Sequence, residues 1–233
     1  MAGYLERVFN ATEEANRRAI LAALPEGRGG ALLDLGTHDG SFTVRAAERL
    51  SADSVHGVEL LSEHAEVART RGVEVTLGDL DEGLPYPDAG FQTVHSNQVI
   101  EHLRRPDRFL AEIRRVLAPG GLACLSTNNL ASWHNVLSLA LGYQPPPAHV
   151  SDEVIVGNPL FFNDGQAHVD KGRVHLRLFT GPALGQLCAH HGLATRSLKT
   201  VGYYPLPPRL AQLATSLDRR HGAFLVGTFV PAP

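Results

Sequence analysis

The strongest constraint on the fold is an alternation of two periods along the chain. Ala31–Leu35 is a short apolar run that stops at Gly36, and a segment with helical spacing follows from about Ser41 to Leu50. The same exchange recurs. Ser54–Val58 precedes Ser62–Arg71, Val73–Leu77 precedes a loop, Phe91–Ser96 precedes Pro106–Leu117, and a fifth run occupies Leu122–Ser126. Strands that alternate with helices predict an α/β chain whose parallel sheet is covered on both faces. In Pro106–Leu117 the proline suits a first helical turn, and Phe109, Leu110, Ile113 and Leu117 share one face, so this helix should pack on the sheet.

The flanks follow other rules. Tyr4–Leu24 has helical spacing and ends at Pro25. From Leu130 to Arg173 the alternation breaks into a short helix around Trp133–Leu141, three prolines from Pro145, and a stretch rich in Gly, Asn and His, which predicts a cap inserted at residues 130–173. A helix over Pro182–His191 and strands over Arg196–Tyr203 and Ala223–Val230 complete the chain, the last two forming an antiparallel hairpin at the sheet edge.

At 233 residues one large domain is expected. With 43% hydrophobic and 19% charged residues the chain is far from the composition of a disordered one, and a net charge of −3 argues against nucleic-acid binding through a basic face. The longest uncharged stretch, Leu130–Ser151, carries polar residues and prolines and cannot span a bilayer. The N-terminus lacks a signal-peptide core, so the chain reads as soluble and cytoplasmic. Cys124 and Cys188 each lie in an apolar segment and read as buried, reduced thiols.

In an open parallel sheet a ligand binds outside the carboxyl ends of the strands. After the first strand stand Asp34, Gly36, Thr37, His38 and Gly40, whose two glycines allow a tight turn and close approach to a ligand. A dinucleotide fingerprint is absent, because His38 and Ser41 occupy two of its glycine places. After the second strand Glu59 can accept both hydroxyls of a ribose, with Leu60 as an apolar neighbour. After the third, Asp79 can accept from an exocyclic amine, and Leu80 can sandwich a base against Leu60. One nucleoside fits the three strand ends.

Through LLDLGTHDGSF, VHGVEL, GDLDEGLPYPDAGFQTVHSNQVIEHL and FLAEIRRVLAPGGLACLSTNN, the chain resembles the class I S-adenosylmethionine-dependent methyltransferases of the small-molecule type over Leu32 to about Asn128, with weaker echoes in VHLRLFT and Leu184–Leu193. The resemblance implies a Rossmann-like, doubly wound, mostly parallel seven-stranded sheet of order 3-2-1-4-5-7-6, with the helix in residues 1–25 closing the cofactor site. It implies S-adenosyl-L-methionine as cofactor. The Asp34 and Gly36–Gly40 positions would hold its methionine end, Glu59 its ribose and Asp79 with Leu80 its adenine. Asn97 would meet the methionine amino group. His38 stands where the family has its middle glycine, so its ring either contacts the cofactor or points outward.

A narrower resemblance joins Gln98-Val99-Ile100-Glu101-His102 to the Glu-x-x-Glu-His signature of the ubiquinone-pathway, type 11 O-methyltransferases, whose carboxylates and His hold a divalent metal. Gln98 replaces the first carboxylate, and a hard cation prefers charged oxygen ligands, so no metal is assigned. Instead, Glu101 and His102 would line the substrate pocket. A hydroxyl nucleophile gains from losing its proton to a neutral imidazole. His102, His134 and His175 are the candidate bases, with His149 and His168 in the variable segment and Trp133, Tyr143, Phe161 and Phe162 as an apolar wall. The implied partner is a small-molecule acceptor with an oxygen nucleophile, and homodimerisation is left open. Rival readings are a non-catalytic member that binds the cofactor as a scaffold or helper, and a nicotinamide oxidoreductase.

Overall fold

A computed structural model describes residues 2–158 and 174–232. Seven strands form one sheet of order β3-β2-β1-β4-β5-β7-β6, the order that the family resemblance implies. These are β1 Ala31–Leu35, β2 Ser54–Glu59, β3 Glu74–Leu77, β4 Phe91–Asn97, β5 Leu117–Asn128, β6 Leu193–Val201 and β7 Phe224–Pro231. The first five run parallel, and β7 is antiparallel to both β5 and β6. The expected edge hairpin is therefore present, with β7 inserted between β5 and β6.

Helices α1 Ala2–Ala23, α2 Ser41–Leu50, α3 Ser62–Thr70, α4 Pro106–Val116, α5 Trp133–Ala140, α6 Gly181–His190 and α7 Pro208–Leu217 complete the described elements, with a 3-10 turn at Ile100–His102. Alternation along the strands builds a core on each face of the sheet. Leu33 and Leu35 of β1 join Phe109, Ile113 and Leu184 on one side, whereas Leu32 joins Ile20, Leu24 and Leu50 on the other. Cys188 lies in the first cluster and Cys124 in the second, so the sheet separates the two thiols. Both are buried and free, and burial pushes each thiol up to about 12.

Two strands begin three or more residues earlier than the sequence reading places them. Strand β6 begins at Leu193, three residues before the expected Arg196, because Gly192 at φ 72° turns the chain straight out of α6. Strand β5 begins at Leu117 directly after α4, with a register shift against β4 between Phe91 and Thr93. Of the expected cap, residues 159–173 lie outside the described residues, and with them Phe161, Phe162 and His168. No helix among the described residues is long and apolar enough to cross a membrane.

Phe109 is 1% exposed where α4 meets the sheet. Phe109→Ala should destabilise the protein by about 3–5 kcal/mol, read as a lower midpoint in urea unfolding, because the cavity cannot fully collapse.

Candidate functional site

The parallel strands bring four loops to one rim. In the β1–α2 loop three residues have left-handed backbone, Gly36 at φ 86°, His38 at φ 49° and Gly40 at φ 76°. A Cβ on Gly36 would lie 2.5 Å from a methyl of Val99, and one on Gly40 would lie 2.9 Å from the Cβ of Ala68, so both glycines are required by space as well as by conformation. His38 takes the third left-handed position without a glycine's freedom. Its N–H donates to Glu59 Oε2 at 2.8 Å, and its exposed ring lies tilted at 41° against His64 with centroids 4.0 Å apart.

Glu59 ends β2 and is 8% exposed. Its Oε1 accepts from the N–H groups of Leu60 and Leu61, each at 3.0 Å, while Oε2 takes the bond from His38. Three of the carboxylate's roughly four acceptor positions are thus filled, leaving room for one further donor. Leu60 is 59% exposed beside this carboxylate, whereas Leu80 is 9% exposed and packs into the core. An apolar platform for a base is present at Leu60, and the expected sandwich with Leu80 is not open. Asp79 is exposed and accepts the Asp81 N–H at 2.9 Å through Oδ1.

Two other rim candidates turn inward. The buried Asp34 carboxylate accepts from Thr43 Oγ1 at 2.5 Å and from His95 Nδ1 at 2.7 Å, so it braces β1 against α2 and β4 beneath the loop. Thr37 is buried, with Oγ1 donating to Val58 O at 3.3 Å. Both support the loop from below. Asn97 at the end of β4 accepts from Asn16 Nδ2 at 2.9 Å, and Asn16 Oδ1 accepts from Ser126 Oγ at 2.8 Å, which fastens α1 across the ends of β4 and β5. His95 and Asn16 escaped the sequence reading. His95 lies mid-strand, before the strand end where a ligand was expected, and Asn16 lies in a helix between charges.

The loop after β4 carries a second cluster. Glu101 is fully buried, with Oε2 accepting from Thr127 at 2.8 Å and Oε1 from Asn128 at 3.2 Å. Burial pushes its carboxyl up to about 7, against the pull of those hydrogen bonds. Its carbonyl accepts the N–H of Leu176 at 2.8 Å, which brings the 174–176 segment alongside. The His102 and His175 rings lie 4.8 Å apart, and His149 stacks flat on His175 at the same separation. His102 Nδ1 is 3.0 Å from Val174 O and His175 Nδ1 is 2.8 Å from Pro147 O. A carbonyl can only accept, so each Nδ1 carries the proton. Burial, reinforced by the neighbouring His102 and His149, brings His175 down to about 4. His134 has other neighbours, Ser132 at 3.4 Å and the Tyr204 ring at 5.6 Å, and burial takes it to about 4 as well.

Donor atoms of Glu101, His102 and His175 lie within 4.8 Å of one another. Gln98 contributes no charge. Its Oε1 accepts from Asn128 at 2.8 Å, and Glu101, the one carboxylate of this cluster among the described residues, already serves Thr127 and Asn128. Among the described residues, one carboxylate with two imidazoles does not supply the charged oxygens that a hard divalent cation prefers.

A left-handed loop after β1, an acid after β2 and an order of 3-2-1-4-5-7-6 together define a class I S-adenosylmethionine-dependent methyltransferase domain. The family described as the methyltransferase domain matches residues 4–198, and the chain belongs to it. A Mycobacterium tuberculosis protein named a probable S-adenosylmethionine-dependent methyltransferase is 34% identical, aligned over 60% of this chain and 49% of its own. The 27-O-demethylrifamycin SV methyltransferase of Amycolatopsis mediterranei is 30% identical over 53% of this chain and 48% of its own. The chain spans about half the length of the curated relatives it matches. The S-adenosylmethionine-dependent methyltransferase of Mesorhizobium loti shares the fold at a TM-score of 0.60 and 22% identity, covering 91% of this chain and 95% of that one.

The cofactor of this class is S-adenosyl-L-methionine, and the rim chemistry fits it. A carboxylate with one acceptor position left stands beside an exposed leucine and a left-handed backbone turn. Glu59→Ala should weaken S-adenosylhomocysteine binding by at least about tenfold in calorimetry, since three loop amides lose their acceptor together. Glu101→Gln should alter the pH dependence of stability. A carboxyl raised from 4.5 to about 7 destabilises the fold as pH climbs through that window, up to about 3 kcal/mol. The melting-temperature gain of the variant over the parent should therefore grow from pH 5 to pH 7 and level off above.

Proposed function

We propose that the protein moves the methyl group of S-adenosyl-L-methionine to an oxygen nucleophile of a small-molecule acceptor. The bound cofactor would supply a methyl on a positively charged sulfur. Gly36–Gly40, Glu59, Leu60, Asp79 and Asn97 would hold it along the rim. Asp34, Thr37 and Leu80 would support that rim from within. Closure by α1 is part of this reading, supported by the Asn16 bonds to Asn97 and Ser126.

The observation that carries the proposal is the pair His102 and His175 over the buried Glu101. Their Nδ1 protons are held by backbone carbonyls, and the neutral His175 ring would offer Nε2 to the hydroxyl of an acceptor with His102 beside it. Glu101, raised to about 7, lies where it can stabilise the imidazolium that forms. Holding nucleophile and methyl in line is the larger task, and effective molarity can account for roughly 7–11 kcal/mol of the barrier. The name of the rifamycin relative, which places its methyl on an oxygen, supports an oxygen acceptor here.

The test is turnover of S-adenosylmethionine to S-adenosylhomocysteine on a panel of phenols, alcohols and amines. Hydroxyl acceptors are expected to react. His102→Gln and His175→Gln should each lower kcat by about 10²–10⁴-fold while cofactor affinity holds. Tight cofactor binding without turnover on any acceptor would favour the scaffold reading, and preference for amines would overturn the oxygen assignment.

A further inference from the structure

Elements α5 and α7 hang from the carboxyl end of the sheet, after β5 and between β6 and β7. Leu210, Leu213 and Leu217 are three and four residues apart, which sets them in one stripe along α7, with Leu206 exposed just before the helix. In α6 the buried Leu184 and Cys188 face the core. The stripe of α7 faces solvent instead, with Leu210 53% and Leu217 80% exposed. On α5, Trp133, Leu137 and Leu141 are spaced by four and are all more than half exposed. Tyr4 and Phe9 of α1 extend the surface. Tyr4 Oη donates to Pro205 O at 3.5 Å and the Phe9 ring meets Tyr204 edge-on at 6.2 Å, while Trp133 Nε1 donates to Asp218 Oδ2 at 2.7 Å. These contacts tie α1 and α5 to the segments flanking α7 at this end of the sheet.

Beside α5 and α7 the charge is net positive, while α1 adds both signs through Glu6, Arg7 and Glu13. Leu130–Ser151 contains no charged residue, and between Tyr203 and Gly222 the charged residues are Arg209, Asp218, Arg219 and Arg220. Asp218 is already bound by Trp133 and by His221 Nδ1 at 3.0 Å, which leaves three exposed arginines at the border in a chain of net charge −3. Apolar stripes bordered by arginine suit an anionic lipid surface, where leucine and tryptophan enter the boundary between headgroups and acyl chains.

We propose that this face docks on an anionic lipid bilayer, with α5 and α7 lying in the plane of the interface. The docked face belongs to the end of the sheet where the rim opens, so an acceptor dissolved in the bilayer would reach the rim without crossing water. Docking does not depend on which atom is methylated.

The experiment is flotation of the full chain with vesicles of phosphatidylcholine alone or mixed in equal parts with phosphatidylglycerol. The chain should float with the anionic vesicles, remain behind with the neutral ones, and be released by salt. Leu210→Ser with Leu217→Ser should lower the bound fraction at least about tenfold, and Arg219→Gln with Arg220→Gln should abolish the preference for anionic lipid. Unchanged melting temperature and S-adenosylhomocysteine affinity in these surface variants would show that the fold and the rim are intact. The proposal is overturned if the parent does not float, if the leucine variant floats as well as the parent, or if the parent sediments as a dimer that the leucine variant converts to monomer.

Discussion

The carboxylate of Glu59 is the contact on which the rim depends. It gathers amides from two loops, His38 on one side and Leu60 with Leu61 on the other, and so fixes a left-handed turn at a residue that is not glycine. A charged acceptor serving several N–H groups is stronger than the sum of neutral bonds would suggest. Without it, the turn at His38 would carry the cost of its φ with nothing to hold it.

Beneath this contact a second buried carboxylate works by the same logic. Asp34 accepts from His95 and Thr43, joining β1, β4 and α2 under the loop. His95 Nε2 has no hydrogen-bond partner in the structure, so the ring is oriented by Asp34 alone and by Phe42, whose centroid lies 5.2 Å away. The rim is therefore shaped twice, from above by Glu59 and from below by Asp34. Asn16 does the equivalent for α1, since a single side chain bridges the ends of β4 and β5.

The second cluster has a different physical character. Glu101, His102 and His175 come from segments more than 70 residues apart, and the link is backbone, the Glu101 carbonyl accepting the Leu176 amide. Desolvation then sets the proton balance, raising the acid from 4.5 to about 7 and lowering the His175 base from 6.5 to about 4, so the two groups exchange order. Burial thus favours the neutral form of both, a carboxyl beside a neutral imidazole.

The sequence by itself determined the sheet, because hydrophobic period is a local property and strand–helix alternation admits few topologies. It also marked Gly36, Gly40, Glu59 and Asp79, since strand ends in a parallel sheet must meet at one edge. It could not tell which acids face outward. Asp34 and Glu59 look alike at the ends of their strands, yet only the packing of His95 and Thr43 against Asp34 turns that carboxylate inside. Likewise Leu60 and Leu80 read as a pair, and the core claims one of them. Tertiary structure alone selected His102 and His175 from the histidines and gave His134 other neighbours, because spacing along the chain carries no information about which loops fold back onto Glu101.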